Sequence, residues 1–464
     1  MPADFAFATI RQLAQGLREQ RFTAVELAEF FLARLERLGP RYNAVVTVTR
    51  ARALAEATQA DQEFKAGRDR GLLHGIPYGV KDLLATRGIP TTWGAAPFRE
   101  RIIDDEATVI TRLREAGAVL VAKLAMVELA GGLGYRQAHA SFSGPGLNPW
   151  DVKSWSGGSS SGSGAAVAAG LVPLAIGSET SGSIVTPAAY CGVTGLRPTY
   201  GRVSRHGAMA LTWSMDKLGP LCRTADDCGL VLNAIAGPDP LDDTSVSRPF
   251  QYPEPGAAAG PFKLAILREP TRKPQPEIQQ NFATALQVLE NLGTIMEIPL
   301  PDFPYSAVVG TIINCELTAA FGDLLTTGQV WEMTAPEDRV GLHAASVIPA
   351  RDYINACRIR RQIQIAVDTA FAGFDAIVVP TGSTVAPPLD REFREYQAPY
   401  RGTGLTVAAN AAGLPGITLP TGHGERGLPT SLSLVGRAFS ENQLLAVASA
   451  YQSRTDWHTR HPGE

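Results

Sequence analysis

The stretch that decides the fold runs from Lys153 to Arg202 and reads KSWSGGSSSGSGAAVAAGLVPLAIGSETSGSIVTPAAYCGVTGLRPTYGR. It begins with a dense run of glycine and serine, passes through small apolar residues, and continues into a second cluster, TSGS at residues 180–183. Glycine and serine at this density are typical of a flexible linker. However, the segment AAVAAGLVPLAIG needs a packed interior. We therefore infer that the glycines let backbone N–H groups approach a reacting atom, while some serines supply reactive hydroxyl groups.

The composition is that of a globular protein with a large core. The chain has 464 residues, of which 45% are hydrophobic and 19% charged, enough for one large domain or two to three ordinary ones. The net charge is −3, from 42 basic and 45 acidic residues. The sequence shows no basic patch, so we do not expect direct contact with nucleic acid. No window approaches ~20 uninterrupted apolar residues and the N-terminus lacks a signal-peptide pattern. We therefore expect a cytoplasmic protein without a membrane span.

Cysteine usage points to reduced thiols. The five cysteines are Cys191, Cys222, Cys228, Cys315 and Cys357. They are odd in number and form no CxxC pair, which favours a cytoplasmic protein over a disulfide framework or a zinc site. We predict no metal ion and no cofactor, and we interpret Cys191 as a buried structural residue.

Strand patterns alternate with helical patterns, which predicts an α/β protein: a single large domain, 1–464, with a mixed central β-sheet covered on both faces by helices. Residues 5–67 are predicted to form a helical layer, and residues 72–225 contain the motifs that carry chemistry. A proline-rich stretch, 238–261, is interpreted as an internal connection, because the alternation resumes after it. Residues 262–464 would complete the sheet and the substrate pocket.

Individual elements follow from apolar runs and periodicity. Candidate strands are Ala118–Ala122, Phe262–Ile266, Asp375–Val379, Gly416–Leu419 and Ser431–Val435. Candidate helices are Ala165–Ala169, Pro276–Leu292, Ala350–Ala372, Gly404–Ala412 and Glu441–Thr455. A capping-box pattern from Thr23 to Glu26 predicts the start of a further helix.

Lys81 lies in LLHGIPYGVKDLLATRGIPTTW, between two Gly-Ile-Pro turns. A lysine is usually at the surface. Its apolar neighbours (Tyr78, Val80, Leu83 and Leu84) instead favour a buried amine, and burial would lower the pKa of that amine and make it available as a base.

Two short motifs suggest other nucleophiles. Gly158–Gly162 matches the G-x-S-x-G elbow with Ser160 at its centre, but the preceding segment Asp151–Trp155 is a poor apolar strand. Ser214–Lys217 matches S-x-x-K, yet no SDN or KTG element accompanies it. Matches of four or five residues arise by chance in a chain of this length, so we discount both.

A longer resemblance is more specific. The chain resembles the amidase signature family in GIPYGVKD around Lys81, in the quoted segment from Gly157 through TYGRVS, and in SMDKLGPLCRTADD, DAIVVPTGSTVAP and AANAAGLPGITLPTG. These segments cover most of the chain. The resemblance implies the amidase signature fold and a serine hydrolase that cleaves carboxylic amides. It also implies small-molecule substrates and water as partners, and leaves the oligomeric state open.

The resemblance also assigns site residues. It implies a catalytic triad of Lys81 as base, Ser159 on a cis peptide bond as proton relay, and Ser183 as nucleophile. The implied oxyanion hole consists of the backbone N–H groups of Thr180, Ser181, Gly182 and Ser183. The resemblance places Met126 on the wall of the substrate pocket, with a core methionine as the alternative. Asp216 is interpreted as a structural residue that holds a turn near the site, with orientation of Ser159 as the alternative.

Several positions depart from the usual pattern of the family, Asp-Thr-Gly-Gly-Ser-Ile-Arg around the nucleophile. Here Glu179 replaces the aspartate, Ser181 a glycine and Val185 the arginine, which leaves the shape of the pocket open. The resemblance extends to stand-alone amidases and to the glutaminase A subunits of tRNA-dependent amidotransferases. In those glutaminases an aspartate and an arginine hold glutamine; Thr403 falls on the aspartate position, and Arg339 lies only near the other.

A site without these charged partners would lose much of its affinity for glutamine, and residues 321–349 look more apolar than a glutamine site requires. We therefore favour a stand-alone hydrolase of apolar or aryl amides, with esters or carbamates as further substrates. The glutaminase subunit of a tRNA-dependent amidotransferase is the alternative.

Overall fold

The computed structural model describes residues 5–131, 135–253, 260–268 and 273–463. Its strands are β1 (Val45–Val48), β2 (Pro77–Lys81), β3 (Val119–Leu124), β4 (Leu147–Asn148), β5 (Asp151–Trp155), β6 (Leu174–Glu179), β7 (Thr194–Arg197), β8 (Lys217–Cys222), β9 (Phe262–Leu267), β10 (Gly293–Ile298), β11 (Ala376–Pro380), β12 (Gly416–His423) and β13 (Pro429–Val435). Its α-helices are α1 (Ile10–Arg18), α2 (Ala24–Tyr42), α3 (Arg50–Lys65), α4 (Thr108–Glu115), α5 (Ser161–Ala168), α6 (Val185–Cys191), α7 (Ala225–Ile235), α8 (Pro276–Glu290), α9 (Tyr305–Thr326), α10 (Pro336–Ala345), α11 (Ala350–Ala370), α12 (Phe393–Gln397), α13 (Leu405–Ala412) and α14 (Glu441–Gln452).

Within the described ranges, eleven strands form one sheet in the order β1-β3-β2-β6-β8-β7-β12-β13-β11-β9-β10. The pairs β3-β2, β2-β6, β11-β9 and β9-β10 are parallel, and the other pairs are antiparallel. The strands β4 and β5 form a separate two-stranded ribbon. The expected mixed α/β sheet flanked by helices is confirmed.

The central strands are buried along their whole length, as in a sheet covered on both faces. Every residue of β2, β3 and β6 is buried. Helix α5 can pack closely against this sheet because its side chains are small, and all eight of its residues are buried. The carboxyl ends of the parallel neighbours β2 and β6 therefore lie side by side in the interior.

The predicted strands and helices correspond to β3, β9, β11, β12 and β13 and to α5, α8, α11, α13 and α14. The capping box is also present: the Thr23 hydroxyl accepts from the Glu26 N–H, and the Glu26 carboxylate accepts from the Thr23 N–H. Residues 5–67 differ from the prediction, because β1 interrupts their helices and pairs with β3 at the edge of the sheet.

The predicted connection 238–261 contains no helix or strand in its described part, and residues 254–259 lie outside the described residues. One described helix, α9, is long and apolar enough to cross a membrane by length and composition alone, with a third of its apolar window buried. It packs against α11 and α13, and core helices of soluble proteins pass the same test, so this is weak evidence for a membrane span.

Candidate active site

Lys81 is the last residue of β2, and its side chain is completely buried. Its Nζ donates hydrogen bonds to the Oγ of Ser159, at 2.6 Å, and to the Oγ of Ser178, at 2.9 Å. Ser178 is the penultimate residue of β6, the parallel neighbour of β2. The ends of two adjacent strands thus hold the amine against two serine hydroxyl groups.

Burial lowers the pKa of Lys81 from 10.5 to about 7, although the negative charges of Asp216 and Glu179 act in the opposite direction. An amine with this pKa is largely neutral slightly above neutral pH, so it can accept a proton. The buried amine expected from the apolar neighbours of Lys81 is therefore present in the structure.

The loop before α5 carries Ser159. The peptide bond between Gly158 and Ser159 is cis. Gly157 has a φ of +89°, and a Cβ at this position would lie 2.7 Å from the Cα of Pro187, so only glycine lets the loop approach α6 this closely. The Ser159 carbonyl accepts a hydrogen bond of 3.0 Å from the Val127 N–H.

Ser160 connects the strands and loops of the site. Its hydroxyl is buried, donates to the Ser178 carbonyl at 3.2 Å and accepts from the Ser178 N–H at 3.3 Å. Its own N–H donates to the Ser183 carbonyl at 3.3 Å. The hydroxyl of Ser160 is therefore engaged with the backbone of β6, which disfavours the elbow interpretation.

The turn of residues 180–183 follows β6. Gly182 has a φ of +97°, a conformation that favours glycine. Ser181 and Ser183 are partly exposed and line a cavity. Among the described residues, no protein acceptor pairs with the N–H groups of Ser181, Gly182 and Ser183. These N–H groups are therefore available to an oxygen atom bound in the cavity.

Asp216 holds this turn from behind. Its carboxylate accepts a hydrogen bond from the Thr180 hydroxyl and further ones from the N–H groups of Leu211, at 2.8 Å, and Thr212, at 2.9 Å. These contacts agree with the structural role expected from the sequence. Burial raises the pKa of Asp216, and the hydrogen bond from Thr180 opposes this effect.

The cavity in front of Ser183 has a volume of about 550 Å³. Four aromatic side chains line it: Tyr135, Trp155, Tyr190 and Phe393. The rings of Trp155 and Phe393 are stacked with centroids 4.4 Å apart, and Tyr135 meets both edge-on. Among the described lining residues, only Arg394 carries a charge. The cavity thus offers a largely uncharged, partly aromatic surface next to the serine.

Met126 and Cys191 are both buried near the site. Met126 lies in the hydrophobic core and is not among the described residues that line the cavity, which agrees with the core alternative for this residue rather than with the pocket wall. Cys191 is buried and its Sγ donates to the Ser156 carbonyl at 3.2 Å, consistent with a structural thiol whose pKa burial raises.

The S-x-x-K match does not form a site. The Ser214 hydroxyl donates to Glu316 at 2.7 Å, whereas the Lys217 Nζ donates to Asn410 at 2.7 Å. The two side chains therefore bind different partners, and neither activates the other.

Thr403 and Arg339, the two positions that correspond to or lie near the glutamine-binding residues of the glutaminases, lie in different places. Thr403 lines the cavity, but Arg339 does not, and its Nε donates to the Met333 carbonyl at 2.7 Å. No described residue of 321–349 lines the cavity, so the apolar character of that segment does not bear on the pocket; Ile313 of α9 contributes instead.

Sequence reasoning missed Ser178, the second partner of Lys81. It also named Glu179 only as a departure and did not single out Asn410, although the Nδ2 of Asn410 donates to the Glu179 carboxylate at 2.8 Å. The signal that could have suggested Ser178 is its place at the end of an apolar strand that precedes the TSGS turn.

The sequence model of the Amidase family matches residues 26–445, and the chain therefore belongs to the amidase family, the signature enzymes that hydrolyse C–N bonds of amides. The A subunit of the glutamyl-tRNA(Gln) amidotransferase from Methylococcus capsulatus is 38% identical over 98% of both chains. Peptide amidase from Stenotrophomonas maltophilia has a similar structure, with a TM-score of 0.87, 30% identity and 99% coverage of both chains. The glutamyl-tRNA(Gln) amidotransferase A subunit from Thermotoga maritima has a TM-score of 0.80, 28% identity, and coverage of 98% of this chain and 96% of its own.

Proposed function

We propose that the protein hydrolyses carboxylic amides through an acyl-enzyme on Ser183, with Ser159 as proton relay and Lys81 as base. The observation that carries this proposal is the 2.6 Å hydrogen bond between the buried Lys81 amine and the Ser159 hydroxyl. A serine hydroxyl becomes an effective nucleophile only when a base removes its proton. A neutral lysine amine held in the interior is such a base.

In the first half-reaction, Ser183 Oγ attacks the amide carbonyl carbon and gives its proton to Ser159, whose own proton passes to Lys81. The N–H groups of the turn 180–183 stabilise the oxyanion of the tetrahedral intermediate, at ~2.7–4 kcal/mol per donor. The relay then returns a proton to the leaving nitrogen, and the C–N bond breaks. Water repeats the cycle on the ester and releases the carboxylate.

The cavity lining favours an apolar or aryl amide as substrate. The stacked rings of Trp155 and Phe393 offer a surface for a flat apolar group, and Thr403 provides no charge for an α-amino group. Esters and carbamates follow the same acyl-enzyme route and are further substrates under this proposal. A stand-alone enzyme also agrees with the similarity to peptide amidase.

The second candidate is the glutaminase subunit of a tRNA-dependent amidotransferase. The sequence comparisons favour it over the first, because relatives named as the A subunit of glutamyl-tRNA(Gln) amidotransferase are 37–38% identical over nearly the whole chain. In this case glutamine would be the amide donor and the chain would act with partner subunits. The lining residues support the first candidate and the sequence relatives the second.

Steady-state kinetics on matched anilide, ester, carbamate and peptide-amide substrates and on glutamine decide between the candidates. We expect kcat/KM on an aryl amide to exceed that on glutamine by at least ~100-fold, because the charged groups of a bound glutamine would find no oppositely charged partner at Thr403. A glutaminase rate above all others would overturn the first candidate, and co-purification with two further subunits would support the second. Mass spectrometry of the acylated protein tests Ser183 in either case.

A further inference from the structure

A buried carboxylate lies directly behind the turn that carries Ser183. Glu179 is the last residue of β6 and is completely buried. Its Oε2 accepts hydrogen bonds from the N–H groups of Ile184, at 2.9 Å, and Val185, at 3.0 Å. These are the two residues that follow Ser183. The backbone on that side of the nucleophile is therefore bound to the side chain of Glu179.

The other carboxylate oxygen joins distant parts of the chain. The Glu179 Oε1 accepts from the Arg197 Nη1 and from the Asn410 Nδ2, each at 2.8 Å. Arg197 ends β7, and its Nε also donates to the Leu414 carbonyl at 3.1 Å. Asn410 lies on α13. A sheet strand and a helix thus hold the carboxylate in one orientation.

Lys217 completes the network on the other side of Asn410. Its buried Nζ donates to the Asn410 Oδ1 at 2.7 Å and to the Thr180 carbonyl at 3.3 Å. Burial opposes ionisation of Glu179, but the charge of Arg197 and the hydrogen bonds from Arg197 and Asn410 lower its pKa to about 2. The carboxylate is therefore ionised at neutral pH and can accept all four hydrogen bonds.

We propose that Glu179, Arg197, Asn410 and Lys217 form a brace that positions the turn of Ser183 for attack, with Glu179 as the central positioning residue. This inference rests on the proposed function, since it concerns the geometry of the nucleophile. Val185 stands where the resemblance predicts an arginine, and it contributes its backbone N–H to the brace. The positive charge beside the Glu179 carboxylate is that of Arg197 on β7.

The brace also acts on the base. Two hydroxyl groups, those of Ser159 and Ser178, contact the Lys81 amine, and the negative charges that raise its pKa against burial are Asp216 and Glu179. Replacement of the Glu179 carboxylate by a neutral amide removes one of these charges. The acid limb of the pH–rate profile should therefore move to lower pH.

The test compares Glu179→Gln with Glu441→Gln, which neutralises another buried, arginine-paired carboxylate that does not contact the turn of Ser183. Glu441 is also a completely buried carboxylate; it pairs with Arg202 at 3.1 Å and accepts from the Thr199 N–H at 2.9 Å. The rate at which a fluorophosphonate labels Ser183 is measured by mass spectrometry as a function of pH. For Glu179→Gln we expect labelling slowed by ~100-fold, the effect of a misplaced reacting group, and an acid limb at lower pH.

Glu441→Gln should lose thermal stability without either change. Arg197→Lys should label faster than Arg197→Met, because lysine restores a positive charge beside the carboxylate. Equal labelling rates and pH profiles in wild type and Glu179→Gln would overturn the brace while leaving the proposed function intact. Absence of labelling of wild-type Ser183 would overturn both. Since labelling needs no substrate, an unidentified substrate does not affect the result.

Discussion

The Lys81 Nζ lies 2.9 Å from the Ser178 Oγ, so the buried amine has a second hydroxyl partner besides Ser159. This contact directs one N–H bond of the amine toward β6. We expect Ser178→Ala to reduce the labelling rate of Ser183 by ~10-fold, because the loss of one hydrogen bond frees the amine to rotate away from the relay. Ser163→Ala is the matched control: its hydroxyl is also buried and donates to a β6 carbonyl, that of Ile176. Equal losses in both variants would contradict a specific role for Ser178.

Lys81→Met should remove activity and raise stability. The folded-state pKa of Lys81 is about 7, below its ordinary 10.5, so between these values the unfolded chain binds the proton and the folded protein does not. The amine therefore disfavours folding at neutral pH. We expect the variant to gain up to ~4 kcal/mol in unfolding free energy at pH 7, measured by denaturant titration, and to lose at least ~100-fold in kcat.

The same pKa defines a pH dependence of that gain. Wild-type stability should rise with pH from about 7 toward 10.5 as the unfolded chain loses its proton, so the advantage of Lys81→Met should shrink over this range. A constant difference in unfolding free energy between pH 7 and pH 10 would contradict the assignment. The amidase rate of the wild type should rise as the pH increases through about 7, because Lys81 then loses its proton and can act as a base.

The buried carboxyl group of Asp338 on α10 predicts the opposite dependence of stability on pH. Glu128 accepts from the N–H groups of Thr334 and Ala335 at the start of α10, and burial together with Glu128 raises the pKa of Asp338 well above its ordinary value. Stability from protonated Asp338 is complete below pH 3.8 and is lost as pH rises through its folded-state pKa.

The amide of Asp338→Asn does not ionise, so the variant should not lose stability as pH rises. We expect its melting temperature to exceed that of the wild type by an amount that grows with pH, which corresponds to ~1 kcal/mol in unfolding free energy. Differential scanning calorimetry from pH 5 to pH 9 measures the difference. Glu332→Gln, an exposed position near the same helix, serves as control, and parallel melting curves of Asp338→Asn and wild type would contradict the prediction.

Phe393 should determine the preference for flat substrates. Phe393→Ala removes the ring stacked on Trp155, and we expect KM for an aryl amide to rise by about 10-fold, in line with ~0.5–1.5 kcal/mol per aromatic pair. KM for a small aliphatic amide should change much less. A proportional change for both substrates would indicate a general loss of pocket structure rather than a lost aromatic contact.

The fold could be predicted where structure is local. The apolar run before Lys123 predicts β3, and the Thr23–Glu26 box predicts the start of α2, because both depend on neighbouring residues. The strand β1 escaped prediction since its four residues are only partly buried and follow a long helix. Helix α9 has an apolar composition without a clear periodic face, so its pattern could not be assigned from the sequence.

The candidate site shows the same limit. Burial of Lys81 follows from its apolar neighbours, but its contact with Ser178 depends on the parallel register of β2 and β6. The roles of Ser159 and Ser183 came from resemblance, since nothing local distinguishes them among the serines of the quoted stretch. Asn410 was not predictable at all, because it reaches Glu179 across 231 positions.

The distance in sequence between Glu179 and Asn410 has a consequence for biosynthesis. Lys81, Ser159 and Ser183 leave the ribosome long before α13 does, so a growing chain contains every proposed reactive group while one of the hydrogen bonds to the Glu179 carboxylate is still unmade. We expect the nascent protein to react much more slowly than the finished one until α13 has been translated and has packed against the rest of the fold. Completion of synthesis would thereby act as the event that switches the enzyme on.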